Sequence, residues 1–190
     1  SPAALAQFKT SLASVLTVAE RRAAAAREVL DPLAYPNLFP EQWHEFRRSR
    51  LTALVTRIRA EVKSVRPEAV LSAAVVPDAQ LAFDKRFQDW RGWLDSSLID
   101  VLCPMAYTTD VDTFRQQIAG AAALAGAKPV WAGIGAYRLT TPQILQHVAT
   151  ANRTGAAGVI LFSYDSLISP PNSVATLSEL GRTAFRSGSD

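Results

Sequence analysis

Cysteine is almost missing from this chain. Cys103 stands alone among 190 residues, so no intrachain disulfide can form. It lies inside an apolar run and reads as a small buried hydrophobe rather than a nucleophile. Histidine is nearly as scarce. His44 and His147 are far apart and both fall in helical patterns, which argues against a zinc site. There is no C-x-x-C, no H-E-x-x-H, no G-x-S-x-G and no glycine-rich phosphate loop. Neither a metal nor an organic cofactor is therefore expected. No apolar run reaches the length of a membrane span. No stretch reads as a signal peptide. The sequence begins at Ser1, and a piece of a longer protein is expected.

Charge of one sign is not in large excess either. Lysine and arginine number 20 against 17 acidic residues, a formal net charge of +3. The densest basic cluster, Arg47, Arg48, Arg50, Arg57 and Arg59, shares a helical pattern with Glu45 and Glu61. That reads as a solvated helix face, and no nucleic-acid partner is expected. What the chain does have is a globular composition, 48% apolar and 19% charged, at a length suited to one good-sized core.

Residues 1–40 form an alanine-rich helical segment and a loop. Leu5, Phe8, Leu12, Val15 and Leu16 recur at helical spacing, and a second short helix is expected over residues 18–29. Three prolines make residues 31–40 an ordered loop. A long helix then covers residues 41–65, with Trp43, Phe46, Leu51, Leu54, Val55, Ile58 and Val62 as its apolar stripe. Arg66-Pro67 ends it.

From there a pattern repeats. Apolar strands are expected at residues 70–76, 98–105, 129–134 and 158–162, about thirty residues apart. Helices are expected between them around Trp90, at 111–125 and at 142–153, with a last helix at 174–185 and a frayed tail at 187–190. Pro142 suits a first helical turn capped by Thr140 or Thr141. Four β–α units in succession mean a parallel sheet with right-handed crossovers. An open doubly wound sheet and part of a (β/α)8 barrel both fit. The turn after the first strand, Pro77-Asp78-Ala79-Gln80, is not the glycine-rich turn of a nucleotide binder, which favours the barrel. Four units cannot close on themselves. The expected architecture is thus α/β, the C-terminal half of a (β/α)8 barrel over residues 41–186. Residues 1–40 are then an insertion near the fourth unit of the parent barrel, whose N-terminal half is the missing partner.

The runs WHEFRRSRLTALVTRIRAEVKSVRPEAVLSAAVVPD, QDWRGWLDSSLIDVLCPMAYT, PVWAGIGAY and GVILFSYDSL together resemble the glycosyl-hydrolase-like family 10 proteins. The resemblance spans residues 43–167 in order. It implies a TIM barrel from a bacterial glycoside hydrolase, secreted or in the cell envelope, acting on a carbohydrate substrate. The family also carries an aspartate in a D-Y-x-R-Y-P motif at the end of its fourth strand. That motif is absent here, and Tyr35-Pro36 echoes it in the wrong place. If that aspartate is one of the two carboxylates that glycoside cleavage usually needs, this chain is inactive by itself.

In either architecture, function gathers at the carboxyl ends of the strands. The carboxylates near those ends are Asp78, Asp89, Asp110 and Asp165. Asp89 matches the family's D-W position and is the first catalytic candidate, or else the N-terminal cap of its helix. Asp78 is the second candidate, or else a turn residue after Pro77. Asp165 is a candidate sugar ligand or a turn cap. Asp100, inside an apolar strand, is expected to bond backbone or an arginine. Tyr107, Tyr137 and Tyr164 follow three successive strands and are expected to converge around one hollow, where flat rings stack on sugars and phenols bond hydroxyls. Met105 and Gln88 are expected in its floor. Trp131, in mid-strand, and Trp43, Trp90 and Trp93, on helices, read as packing residues. A noncatalytic carbohydrate-binding barrel is the alternative to the enzyme.

Overall fold

The computed structural model describes residues 1–169 and 174–184. The expected tail at 187–190, and Phe185 at the end of the last expected helix, lie outside the described residues. The chain divides into two compact units, Ser1–Val55 and Thr56–Asp190.

In the first unit, α1 (Pro2–Leu12) and α2 (Val18–Glu28) form as the spacing predicts. Thr17 and Glu20 make a reciprocal capping box at the start of α2, satisfying first-turn N–H groups that have no helical partner. The loop expected at residues 31–40 contains a short helix instead, α3 (Ala34–Leu38). Its proline, Pro36, sits in the first turn, where a missing N–H costs nothing. Asp31 accepts from Leu33 N and from Asn37 Nδ2 and so holds both sides of that turn. Phe8 is fully buried at the centre of this unit. Its ring lies 4.9 Å from Trp43 and 5.4 Å from Phe46, both on α4 (Pro40–Val65). That packing places residues 41–55 with the N-terminal helices. The apolar stripe expected along α4 is only partly covered: Leu54 and Ile58 remain about half exposed.

The second unit carries four short strands: β1 (Ser72–Val75), β2 (Val101–Pro104), β3 (Trp131–Gly135) and β4 (Gly158–Phe162). β1 pairs with β2 and β3 with β4, both parallel. Parallel bridges Leu102↔Val130 and Met105↔Gly133 join the two pairs. The spatial order is therefore the chain order, with no reversal of winding. β2 is shorter than its apolar run. Leu98 turns its N–H back to Trp93 O at the end of a helix, and pairing begins only at Val101.

Between β1 and β2 lie two helices, α5 (Ala79–Arg86) and α6 (Trp90–Asp95), where one was expected. α5 has few apolar residues to betray it; Asp78 caps its start, and Phe87 closes its end in the left-handed region at φ 59°. α7 (Val111–Ala125) and α8 (Thr141–Arg153) follow β2 and β3 as expected, with Thr140 preceding α8. After β4 come a five-residue helix not anticipated from sequence, α9 (Tyr164–Ile168), and α10 (Val174–Ala184).

Alternation along the strands sorts side chains to two faces. Ala132 and Ile134 of β3 pack with Phe114 and Ile118 of α7, Ile144 and Val148 of α8, and Leu180 of α10, with Val159 and Leu161 of β4 partly buried against them. Trp131, Gly133 and Gly135 of β3, with Ile160 and Phe162 of β4, take the other face by the same alternation and register. There Ile160 is 38% and Phe162 51% exposed.

Candidate functional site

The carboxyl ends of β2, β3 and β4 bring three aromatic rings together. Tyr107 follows β2, Tyr137 lies in a 3-10 turn (Ala136–Arg138) after β3, and Phe162 is the last residue of β4. Tyr107 stacks on Phe162 at 5.5 Å between centroids. Tyr137 meets both edge-on, at 6.1 Å from Tyr107 and 6.2 Å from Phe162. Tyr137 and Phe162 are each about half exposed, so two faces of the corner are open.

Two features hold Tyr107 there. Gly135 is the first: a Cβ at that position would come within 2.9 Å of Tyr107 Cβ, so the residue must be small for Tyr107 to lie across the end of β3. Arg138 is the second, its Nη1 donating to Tyr107 O at 2.8 Å across the two strand ends. Burial pushes the Tyr107 phenol above its ordinary value, and the neighbouring Tyr137 and Cys103 add to this. The phenol is therefore neutral at physiological pH. It can donate and accept hydrogen bonds but does not act as a base.

The expected convergence of Tyr107, Tyr137 and Tyr164 is met by the first two only. The third ring is Phe162. Strand alternation turns Phe162 toward Tyr107, while Tyr164 lies two residues further on, opens α9 and is 63% exposed. Phe162, Gly135 and Arg138 escaped the sequence reading. The signal was present in Phe162 as the last residue of an apolar strand and in the glycine just before Ala136-Tyr137.

Met105 bridges to Gly133 at the foot of this corner and is half-buried, in the position of a floor residue. Gln88 does a different job. Its Oε1 accepts from Val76 N, while Trp90 Nε1 donates to Val76 O, so the two side chains clamp the end of β1. Asp89, between them, caps α6: its Oδ1 accepts from Gly92 N at 3.1 Å. A Cβ on Gly92 would approach Asp89 Oδ2 to 2.5 Å, so the glycine makes room for the carboxylate. Gln88, Asp89, Arg91 and Asp95 line one pocket of about 380 Å³. Asp78 caps α5 through Leu81 N at 2.7 Å and lines a hollow with Thr113 and Gln117. That hollow adjoins the one beside Asp89, with Ala79 and Gln80 in the walls of both. Asp165 is exposed in the first turn of α9.

The remaining titratable candidates are structural. Asp110 caps α7 and sits below its ordinary pKa, chiefly through its hydrogen bonding with Thr113. Asp100 accepts from Leu71 N at 2.9 Å and from Arg59 at 3.2 Å, with Lys63 at 3.6 Å; it bonds backbone and an arginine as expected, although it lies just before β2 and not inside it. Burial raises the pKa of Cys103, which keeps a thiol. Trp131 covers Gly158, where a Cβ would come within 2.9 Å of the indole. Trp90 and Trp93 are buried. Among the described residues no group of His, Cys, Asp and Glu could hold a metal ion, and no helix is long and apolar enough to cross a membrane.

The sequence profile of the glycosyl hydrolase-like 10 family matches residues 16–145, more than half of the chain. The match takes in β1 to β3, Asp78, Asp89, Tyr107 and Tyr137, and stops short of β4. No curated protein matches the chain.

Proposed function

The chain belongs to the glycosyl hydrolase-like 10 family, and from that premise we propose that it is the C-terminal half of a (β/α)8 barrel whose strand tips bind a polysaccharide or cell-wall glycan. The observation that carries this reading is the aromatic corner of Tyr107, Tyr137 and Phe162 at the carboxyl ends of three adjacent parallel strands. Ligands of barrels lie at that end of the strands, and open aromatic faces suit the C–H faces of sugar rings.

The strand order supports the half-barrel. A doubly wound sheet reverses its winding at a switch point, whereas here chain order and spatial order agree. A parallel sheet is ordinarily covered on both faces. Here helices pack one face, and Ile160 and Phe162 stand open on the other. Further strands of the same barrel are the natural cover for it.

In the intact protein Asp89 is the acid/base candidate. Its Oδ1 caps α6, and the residue lines a pocket with Gln88, Arg91 and Asp95. Asp78, in a different hollow, is the weaker second candidate. A carboxylate pair must face one glycosidic bond, so the partner of Asp89 is assigned to the upstream half and this chain alone is inactive. On this reading the protein works outside the cytoplasm, where such glycans lie. Asp78 and Asp89 both serve as helix N-caps, which favours a second reading, a barrel that binds carbohydrate without cleaving it.

Reducing-end release from cell-wall glycan by the intact protein separates these readings. The enzyme reading expects turnover, none from the 190-residue chain alone, and a loss on the order of 10² or more in Asp89→Asn. Asparagine still caps α6, so the loss isolates the carboxylate's chemistry. Wild-type turnover in that variant removes Asp89 from catalysis. Glycan binding that depends on Tyr107, without turnover, selects the noncatalytic reading.

A further inference from the structure

A second hollow adjoins the aromatic corner. It has a volume of about 570 Å³, and Tyr137 belongs to both, so a chain of sugars lying on the corner extends into it. Its walls are Tyr137, Arg138, Thr140, Thr141, Gln143 and Ser166, with a few neighbours. Hydroxyl, amide and phenol groups line it beside Ala136, Leu139 and Pro142, and among the described residues Arg138 is its only charged side chain. Asp165, on the adjacent α9, is exposed and does not line it.

We propose that this hollow takes a sugar bearing a carboxylate, and that Arg138 is the residue that recognises the charge; the proposal rests on the glycan-binding reading and names the class of glycan. A guanidinium carries five N–H donors in a planar fork that matches a carboxylate. The structure gives one of them to Tyr107 O and pairs Arg138 with no carboxylate among the described residues. That single bond fixes the guanidinium at the rim of the hollow and leaves donors for an incoming anion. Thr140 turns both its N–H and its hydroxyl to Gln143 Oε1, which leaves the Gln143 amide nitrogen without a partner among the described residues. The opposite wall is the first turn of α8, a 13-residue helix whose positive end adds to the same sign. A neutral sugar satisfies the hydroxyls and leaves the guanidinium idle. An acidic one pairs with it in a charge-assisted, bidentate bond. A bare anion is not enough, because the hollow is far larger than one carboxylate and its walls combine hydroxyl and amide groups with the apolar Ala136, Leu139 and Pro142.

Calorimetric titration of the intact protein with tetragalacturonate and with cellotetraose tests this. The acidic tetramer is expected to bind on the order of tenfold more tightly at low salt, and the preference is expected to vanish at high salt. Arg138→Gln, which also loses the bond to Tyr107 O, is expected to weaken both tetramers and to remove the acidic preference, and Arg138→Lys to restore part of that preference. Equal binding of both tetramers by the unmutated protein, or an acidic preference that survives Arg138→Gln, overturns the assignment of Arg138. Inorganic phosphate binding as tightly as the acidic tetramer overturns the carboxylate-sugar class. Binding of neither tetramer overturns the glycan reading along with it. If Arg138→Gln fails to fold, Arg138→Lys carries the test: an undiminished acidic preference in that variant overturns the bidentate assignment.

Discussion

At the scale of single residues, small side chains decide where the large ones lie. Gly135 has φ −77° and so is not chosen for backbone freedom. It is chosen for space, because a Cβ would press on Tyr107 at 2.9 Å from Cβ, 3.1 Å from Cγ and 3.3 Å from Cα. Since Cα is among those contacts, a rotamer change cannot relieve the crowding and the backbone must shift. Gly135→Ala is therefore expected to cost about 1–3 kcal/mol and to part Tyr107 from Phe162. Urea unfolding and glycan titration check it; an unchanged midpoint and affinity would show that Tyr107 moves freely. Gly92 makes room for Asp89 by the same logic. Neither role was legible in the sequence, since a glycine in a strand or helix announces only that something comes close, not what.

Among the elements, Asp100 is the tie between β1, β2 and α4. One oxygen takes the N–H of Leu71 just before β1, and the other takes Arg59 of α4, with Lys63 beside it. The Leu71 N–H is the main reason its carboxyl lies below the ordinary 3.8; partial burial opposes this, and Arg59 and Lys63 assist. A carboxyl depressed on folding adds stability that is complete above its unfolded pKa. That stability is lost as pH falls through the lower folded value. Asp100→Asn is expected to lower stability at neutral pH by about 1–3 kcal/mol and to flatten the acid side of the stability curve below about pH 4. Chemical denaturation from pH 7 to 2 measures both, and parallel acid limbs for the two proteins would contradict it. Elements whose signals are local were readable in advance. α7 was delimited by its own periodicity, and α8 by Thr140 and Pro142. α5 and α9 were not, being short and weakly patterned.

For the whole molecule, the decisive feature is a sheet whose face away from the helices is buried at β2, through Val101 and Cys103, and open at β4. The helix side is closed by Phe114, Ile118, Ile144 and Val148, all nearly inaccessible. The other side leaves Ile160 and Phe162 open, and β4 is an edge among the described strands. Apolar surface of this kind beside an unpaired strand drives association when its natural cover is missing. The isolated chain is expected to self-associate as its concentration rises, and Ile160→Lys to suppress this. Sedimentation velocity over a concentration series measures it. A monomer at every concentration, unfolding in one cooperative step, would instead favour a self-sufficient open sheet.

The amino-acid sequence by itself determined the four strands, the longer helices α1, α2, α4, α7 and α8, and the family. These depend on contacts within a few residues or on patterns repeated along the chain. It also marked Tyr107 and Tyr137 as strand-tip residues and Asp100 as a structural carboxylate. Only the tertiary structure decided that Phe162 packs with Tyr107 and Tyr137 while Tyr164 opens α9, that Asp78 and Asp89 cap two successive helices, and that Arg138 ties the ends of β2 and β3 together. Those outcomes turn on where each strand ends and the next helix begins, and neighbours thirty residues away in the chain set that.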